Sequence, residues 1–292
     1  MKYRVTQHTH YTYEQPVSQS INQFRLKPID DLKQECISFK KEITPNVPSY
    51  VHYDYWGNHV ETFYAWEDHD ELLLVTTSEV MIDPYAFKEA FSFSPQMNEA
   101  LFSGAFRHQY AEFLMTTDYT KVADEICEEV TAPLWEEAEN PFEFVKAVNS
   151  YIYDTFTYEP GTTTVNTTAA EAFENKVGVC QDYTHLMLAL CRYRGIPARY
   201  VSGYLYIGEN SAMRGDAATH AWVEVKLPTA GWIGFDPTNN VLAKDQHIRV
   251  AVGRDYGDIV PLKGVYHGGI QKLEVKVSVH AIEENVTVKS EV

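Results

Sequence analysis

A cysteine lies directly after a glycine-containing turn, at the predicted start of a helix. Gly178 and Val179 precede Cys180, and residues 183–194 have a helical composition that Gly195-Ile196-Pro197 ends. The partial positive charge at a helix N-terminus favours a thiolate over a thiol. This position therefore predicts a cysteine nucleophile that is activated without a metal.

The catalytic base is not expected from the same helix. Successive helical residues turn by about 100°, so His185 is predicted to point away from Cys180. Cys191 lies on the side of Cys180, but roughly 16 Å along the helix axis. That separation is too large for a disulfide, and we interpret Cys191 as a core residue.

A predicted β-hairpin supplies a histidine and a carboxylate. Residues 219–225 and 232–236 are predicted strands, and His220 and Asp236 are symmetric about position 228 in the turn between them. A shift of the turn centre by one residue would move the partner by two and keep both side chains on one face. An imidazole beside a carboxylate provides the base and the orienting group of a catalytic triad.

Together these residues predict nucleophilic chemistry on a carbonyl group. Cys180 would attack as a thiolate, His220 would protonate the leaving amine, and Asp236 would orient the imidazole. The Cys180 amide at the helix start is a predicted oxyanion donor. Each residue alone also has a structural interpretation, and the predicted convergence of all three favours catalysis.

A zinc site is the alternative use of the same three side chains. Thiolate, imidazole and carboxylate are all zinc ligands. The sequence suggests no fourth ligand near them, so we expect neither a metal nor a cofactor.

Composition and charge restrict the possible partners. The chain has 292 residues and a formal net charge of −17, which argues against a nucleic-acid partner. No apolar run has the length of a signal peptide or a membrane span. Four cysteines without a CxxC pair fit a reducing compartment. We therefore expect a cytoplasmic protein that binds no membrane.

The chain divides by pattern into two parts. Residues 1–85 are predicted to be β-rich, with a hairpin around Trp56-Gly57-Asn58 and no catalytic cluster. Residues 86–292 contain a helical segment, the predicted cysteine helix and hairpin, and a C-terminal strand at 273–279. The predicted fold class is α+β.

Four blocks of this second part resemble the transglutaminase-like core, and they span roughly residues 145–240. The N-terminal region resembles the bacterial transglutaminase N-terminal region, and residues 248–258 are similar to the segment that follows the core in those proteins. The four blocks are Gly178–Tyr183, Arg194–Tyr204, His220–Glu224 and Phe235–Thr238.

The resemblance implies a papain-like fold, in which the helix bearing Cys180 packs on an antiparallel sheet bearing His220 and Asp236. It implies that these residues act as nucleophile, base and orienting group. It does not imply calcium dependence, because no acidic loop matches the calcium sites of animal transglutaminases.

Three further positions are candidates for binding the substrate. Papain-like proteases carry an oxyanion glutamine six residues before the cysteine, whereas this chain has Glu174. Tyr158 is our candidate for the second oxyanion donor, with a buried structural tyrosine as the alternative. Gln181 and Trp222 are candidates for the substrate cleft.

The leading hypothesis is a cysteine enzyme that cleaves or transfers amide bonds of a protein or peptide through a thioester. Water as acceptor would make it a protease or amidase, and a lysine amine would make it a transglutaminase. The resemblance to bacterial cysteine proteases of this kind favours hydrolysis. The alternative is a non-catalytic peptide-binding module on the same fold. The sequence does not indicate the oligomeric state.

Overall fold

The computed structural model describes residues 1–87, 94–208, 213–214, 219–268 and 270–282. The helices are α1 (Pro95–Phe102), α2 (Gly104–Gln109), α3 (Asp124–Glu137), α4 (Pro141–Thr155), α5 (Ala169–Asn175) and α6 (Cys180–Tyr193). The strands are β1 (Lys2–Phe24), β2 (Gln34–Thr44), β3 (Ser49–Tyr53), β4 (His59–Ala65), β5 (His69–Ile82), β6 (Thr157–Tyr158), β7 (Val177–Gly178), β8 (Ala198–Leu205), β9 (Thr219–Leu227), β10 (Gly231–Asp236), β11 (Val241–Ala243), β12 (His247–Gly253), β13 (Leu262–His267) and β14 (Gln271–Ala281).

The first strand organises the N-terminal sheet, whose order is β2-β5-β1-β4-β3. The first half of β1 pairs with β5 and β14, and its second half pairs with β4 and β13. Buried and exposed residues alternate along most of β1, as they do in a strand with one face on a core. The chain therefore returns to this sheet near its described end, through β13 and β14.

The second sheet carries the hairpin that the sequence predicted. Its order is β11-β10-β9-β8-β12, and every pair in it is antiparallel. Helix α6 packs against β9 and β8, and nearly all of its residues are buried. Its buried polar residues, among them Asp182, His185 and Arg192, are hydrogen-bonded within the fold, as burial requires. The predicted α+β class and the predicted cysteine helix on an antiparallel sheet are confirmed.

Local signals set the ends of the helices near the site. Helix α5 is capped at its N-terminus by Thr168, whose side chain forms a capping box with Glu171. Helix α6 begins at Cys180, and Gly195 follows it with a φ of +73°. Glycine adopts this left-handed conformation without steric cost, which explains why the helix stops there.

The N-terminal sheet docks on the backbone of β12 through two buried amide side chains. Gln34 donates to the Arg249 carbonyl and accepts from the Arg249 amide, both at 2.9 Å. Asn58 does the same with Val252, both at 2.8 Å. Each amide thus satisfies two buried backbone groups as a neighbouring strand would.

One apolar core runs through both parts of the chain. Tyr3 and Val5 of β1 belong to the same buried cluster as Leu186 and Leu190 of α6. In the described part of the chain, no helix has the length and apolar character needed to cross a membrane.

Candidate active site

A buried carboxylate fixes the turn that carries Cys180. Asp182 accepts hydrogen bonds from the Val179 amide at 2.8 Å and from the Thr163 hydroxyl at 2.7 Å. A Cβ atom on Gly178 would lie 2.8 Å from the Asp182 Cβ, so only glycine allows this approach. Cys180 is half-buried and begins α6 directly after this turn.

His220 and Asp236 meet across the β9–β10 hairpin. The His220 Nε2 donates to the Asp236 Oδ2 at 2.8 Å, and both side chains are buried. The register pairs Phe235 with Val223, which puts the turn centre at position 229 instead of 228. This shift of one residue moves the pairing by two and keeps both side chains on the same face.

His220 also neighbours Cys180: both residues line the same cleft, and the thiol helps to raise the pKa of the imidazole. A carboxylate can only accept hydrogen bonds, so the Nε2 of His220 carries a proton and its Nδ1 is left for the thiol. The sequence therefore predicted three residues that the fold brings into one chain of contacts.

The charges within this chain of contacts reinforce each other. Burial alone would lower the pKa of His220, but the Asp236 charge and the hydrogen bonds of Asp236 and Cys180 raise it to about 10. Burial alone would raise the pKa of Asp236, but the charge and hydrogen bond of His220 and the hydrogen bond of His247 hold it well below its usual range. At neutral pH the arrangement favours an imidazolium beside a carboxylate.

An open cleft of about 260 Å³ leads to the thiol. Tyr158 lies at its edge, because β6 pairs in parallel with β7 immediately before Cys180. The described residues that line the cleft are Tyr158, Pro160, Val179, Cys180, Gln181, Tyr200, Ser202, Thr219, His220, Ala221, Tyr256 and Pro261.

Gln181 lines this cleft, and its side chain also holds the loop before α5. Its Nε2 donates to the Val165 carbonyl at 3.0 Å. Glu174 is exposed on α5 and is not among the cleft-lining residues. This agrees with the sequence argument that its position differs from the papain glutamine.

Trp222 lies outside the cleft, contrary to the expectation from the sequence. It is only 1% exposed and lines a separate cavity with Glu224, Trp232 and His247. The reason is position along the strand: Trp222 follows His220 by two residues, so it lies on the same face of β9 but farther along, with its ring 5.1 Å from that of His247.

His185 points away from the thiol, as the helical spacing predicted, and holds another cleft residue in place. Its Nε2 accepts a hydrogen bond from the Tyr256 amide at 3.2 Å. Its ring packs between Tyr119 and Tyr200 at centroid distances of 5.0 and 5.2 Å. Burial lowers the pKa of His185 to about 3, so it stays neutral and can accept this bond.

Sequence reasoning missed two partners of Asp236. The His247 Nε2 lies 3.1 Å from Oδ2, and the Asn239 Nδ2 donates to the same oxygen at 2.8 Å. Asn239 follows Asp236 by three residues and could have been found as a turn partner. His247 has no comparable local signal, because it lies on β12.

His220, Asp236 and His247 are also the ligand types of a metal site, and their ligand atoms lie within 4.8 Å of one another. Their separations of 2.8 and 3.1 Å are those of direct hydrogen bonds. The carboxylate oxygen is thus already satisfied by protons of the two imidazoles. The cluster fits a hydrogen-bonded network better than a metal centre.

A cysteine at a helix start, facing a histidine and an aspartate on an antiparallel sheet, defines the papain-like class of folds. Residues 128–237 match the transglutaminase-like superfamily, and residues 3–81 match the bacterial transglutaminase-like N-terminal region. The chain belongs to the transglutaminase-like superfamily.

Relatives of the chain include an uncharacterized protein and a named enzyme. A protein of Mycobacterium leprae is 35% identical over 283 residues, which cover 94% of this chain and 97% of that protein. The protein-glutamine gamma-glutamyltransferase of Pseudomonas aeruginosa is 30% identical over 140 residues, or 43% of this chain and 21% of that protein.

A solved structure shows the same fold. The crystal structure of a "Putative Cysteine Protease" from Cytophaga hutchinsonii matches with a TM-score of 0.76 and 22% identity. The match covers 98% of this chain and 92% of that chain, so the arrangement of both sheets is shared.

Proposed function

We propose that the protein is a cysteine hydrolase that cleaves amide bonds of proteins or peptides through a thioester on Cys180. The observation that carries this proposal is the position of His220, which bonds to the buried Asp236 carboxylate and lines the same cleft as the Cys180 thiol. This arrangement serves nucleophilic catalysis, because the imidazole can exchange a proton with sulfur while the carboxylate orients it.

In the first half-reaction the Cys180 sulfur attacks the amide carbonyl carbon. The C–N bond then breaks, and the imidazolium of His220 gives its proton to the leaving amine. The carbonyl oxygen, which becomes negative on the way, accepts from the Cys180 amide at the start of α6 and from the Tyr158 hydroxyl at the cleft edge. The product is a thioester on Cys180 and a free amine.

In the second half-reaction water attacks the thioester, and neutral His220 takes the proton of the water. The C–S bond breaks and sulfur leaves as the thiolate, which releases a carboxylic acid and restores the thiolate beside the imidazolium of His220. We favour water over a lysine amine because none of the described residues that line the cleft is Asp, Glu, Lys or Arg. A protonated lysine would lose its hydration there without gaining a carboxylate partner.

Thiol reactivity tests the proposal without a known substrate. We expect iodoacetamide at pH 6 to alkylate Cys180 at least about tenfold faster than Cys36, measured by mass spectrometry of the digested protein. Cys36 is a matched internal control because it is also half-buried, and burial raises its pKa to about 11. Equal rates, unaffected by His220→Ala, would support the binding-module alternative.

A substrate screen then separates the two acceptors. The protein is incubated with casein and a fluorescent primary amine, and both new amino termini and incorporated amine are measured. We expect cleavage without incorporation, and neither with Cys180→Ala. Incorporation that exceeds cleavage would instead identify an acyltransferase.

A further inference from the structure

We propose that His247 is a positioning residue that shares the Asp236 carboxylate with His220 and thereby limits how much negative charge His220 receives. The inference rests on the proposed function only in so far as it treats His220 as the base. The contacts that carry it are those of the carboxylate itself.

The Asp236 carboxylate is held by more donors than an orienting role requires. Its Oδ2 accepts from His220 at 2.8 Å, from His247 at 3.1 Å and from the Asn239 side chain at 2.8 Å. Its Oδ1 accepts from the Thr238 amide at 3.0 Å and the Asn239 amide at 3.3 Å. Each donor on Oδ2 draws on the same negative charge.

The chemistry of a carboxylate fixes the protonation of both imidazoles. Asp236 only accepts, so the Nε2 atoms of His220 and His247 must both carry a proton. Burial lowers the pKa of His247, and the Asp236 hydrogen bond only partly offsets this. His247 is therefore a neutral donor, whereas His220 takes the positive charge.

The surroundings of His247 hold its ring in this position. It begins β12, where it pairs with Leu205, and its ring lies edge-on to Trp222 at 5.1 Å. Besides Asp236 and His220, the titratable group that acts on it is Asp245 in the preceding turn, and His220 in turn faces Cys180. The charged residues that share the cavity behind it are Lys33, Glu224, Lys244 and Arg249.

Removal of this donor has an effect of defined sign. Without His247 the Oδ2 keeps two donors, and the backbone amides still hold Oδ1, so the carboxylate stays in place. His220 then receives more of its charge and keeps its proton to a higher pH. A role of His247 in folding alone would not produce this shift.

The test is a nuclear magnetic resonance titration of the His220 ring in histidine-¹⁵N-labelled protein, assigned with His220→Ala. The Asn variant of His247 is too short to place a donor at the Nε2 position, whereas the Gln variant can. We expect His247→Asn to raise the His220 titration midpoint by about half a pH unit or more, and His247→Gln to leave it near wild type. The titration does not depend on turnover, so it can fail or succeed separately from the proposed function.

His69→Ala is the control for loss of a buried histidine. His69 lies in the N-terminal sheet and bonds with Ser20 at 3.3 Å and the Glu67 carbonyl at 2.8 Å. We expect it to lower stability without moving the His220 midpoint. An unchanged or lower midpoint in His247→Asn, or an equal rise in His247→Gln, would overturn the proposal.

The wild-type spectrum tests the same proposal without a variant. Near neutral pH the ring nitrogens of His247 must show a neutral imidazole with the proton on Nε2. A proton on Nδ1 of neutral His247 would overturn the proposal, because Nε2 could not then donate to Asp236.

Discussion

At the scale of single residues, the Asp236 carboxylate is the most heavily hydrogen-bonded group of the site. Two imidazole donors, His220 and His247, share one of its oxygens with the Asn239 side chain. The thiol itself has fewer constraints, since Cys180 is half-buried and opens on the cleft. Substitution of Asp236 should therefore lower the stability of the fold more than substitution of Cys180.

Asp236→Asn is expected to lower turnover by about 10²–10⁴-fold, because an amide neither stabilises the imidazolium nor accepts from all present donors. It should also lower the free energy of unfolding by about 1–3 kcal/mol, since buried donors lose their acceptor. Kinetics and urea unfolding measure the two effects. Unchanged turnover of Asp236→Asn would show that Asp236 has no catalytic role. Cys180→Ala is the control, because it should lose turnover with little loss of stability.

The sequence supported the prediction of His220 and Asp236 but gave no basis for His247. The first two lie on one hairpin, so their distance follows from local pairing. His247 begins β12, which pairs with β8, so β8 and β9 separate it from β10 in the sheet order. Its contact with Asp236 therefore requires the sheet to curl, and curling depends on packing that spacing does not reveal.

At the scale of elements, the turn before α6 and the Asp182 carboxylate act as one unit. Gly178→Ala is expected to push the carboxylate away, because the added Cβ would meet Asp182 at 2.8 Å. We expect a loss of about 1–3 kcal/mol in stability and about 10²-fold in turnover, since the thiol moves with the turn.

Gly104→Ala is the matched control for this change, since an added Cβ there meets nothing within 4 Å. Gly104 lies in α2, where alanine is favoured over glycine, so stability should stay equal or rise. If Gly178→Ala behaved like this control in urea unfolding and turnover, the contact with Asp182 would not be what positions Cys180.

The packing of α6 also predicts a pH dependence of stability. The pKa of His185 is about 3 in the folded protein, below its ordinary value of 6.5. The unfolded chain therefore binds the proton first, so the stabilisation is complete above pH 6.5 and is lost as pH falls toward 3.

Between pH 7 and pH 5 the wild type should lose about 1–2 kcal/mol more than His185→Gln, measured by urea unfolding at both values. The glutamine oxygen can still accept from the Tyr256 amide. Equal losses in the two proteins would mean that His185 is hydrated enough to be protonated in the folded state.

At the scale of the whole molecule, the N-terminal sheet and the part of the chain that contains α6 and the second sheet are joined by polar contacts and a shared core. Asn58→Ala removes both hydrogen bonds to Val252 and is expected to cost about 1–3 kcal/mol. Both regions should still unfold together, because one apolar core includes Tyr3 and Leu186. Thermal unfolding followed by far-UV and near-UV circular dichroism should give coincident midpoints.

Asn175→Ala controls for the loss of an amide side chain. Asn175 is exposed and donates to the Glu171 carbonyl within α5, so its loss should change stability by less than about 0.5 kcal/mol. Separate midpoints for the two regions in Asn58→Ala would contradict a single cooperative unit.

The sequence predicted where strands occur better than it predicted which strands pair with each other. The alternation over residues 273–279 predicted a strand, and β14 confirms it. The same alternation does not say that its partner is β1, because period-two patterns identify faces and not neighbours. Only the structure shows that the last described strand completes the first sheet.

Because β14 pairs with β1, the first sheet cannot be completed until the ribosome has synthesised nearly the whole chain. Residues 3–13 of β1 pair with residues 271–281 of β14. This edge of β1 therefore stays unpaired while about 250 further residues are translated. At 5–20 residues per second that wait lasts roughly 10–50 s. An unpaired strand edge is a site for association with other nascent chains. The yield of native protein should therefore rise when translation of the second half of the message is faster.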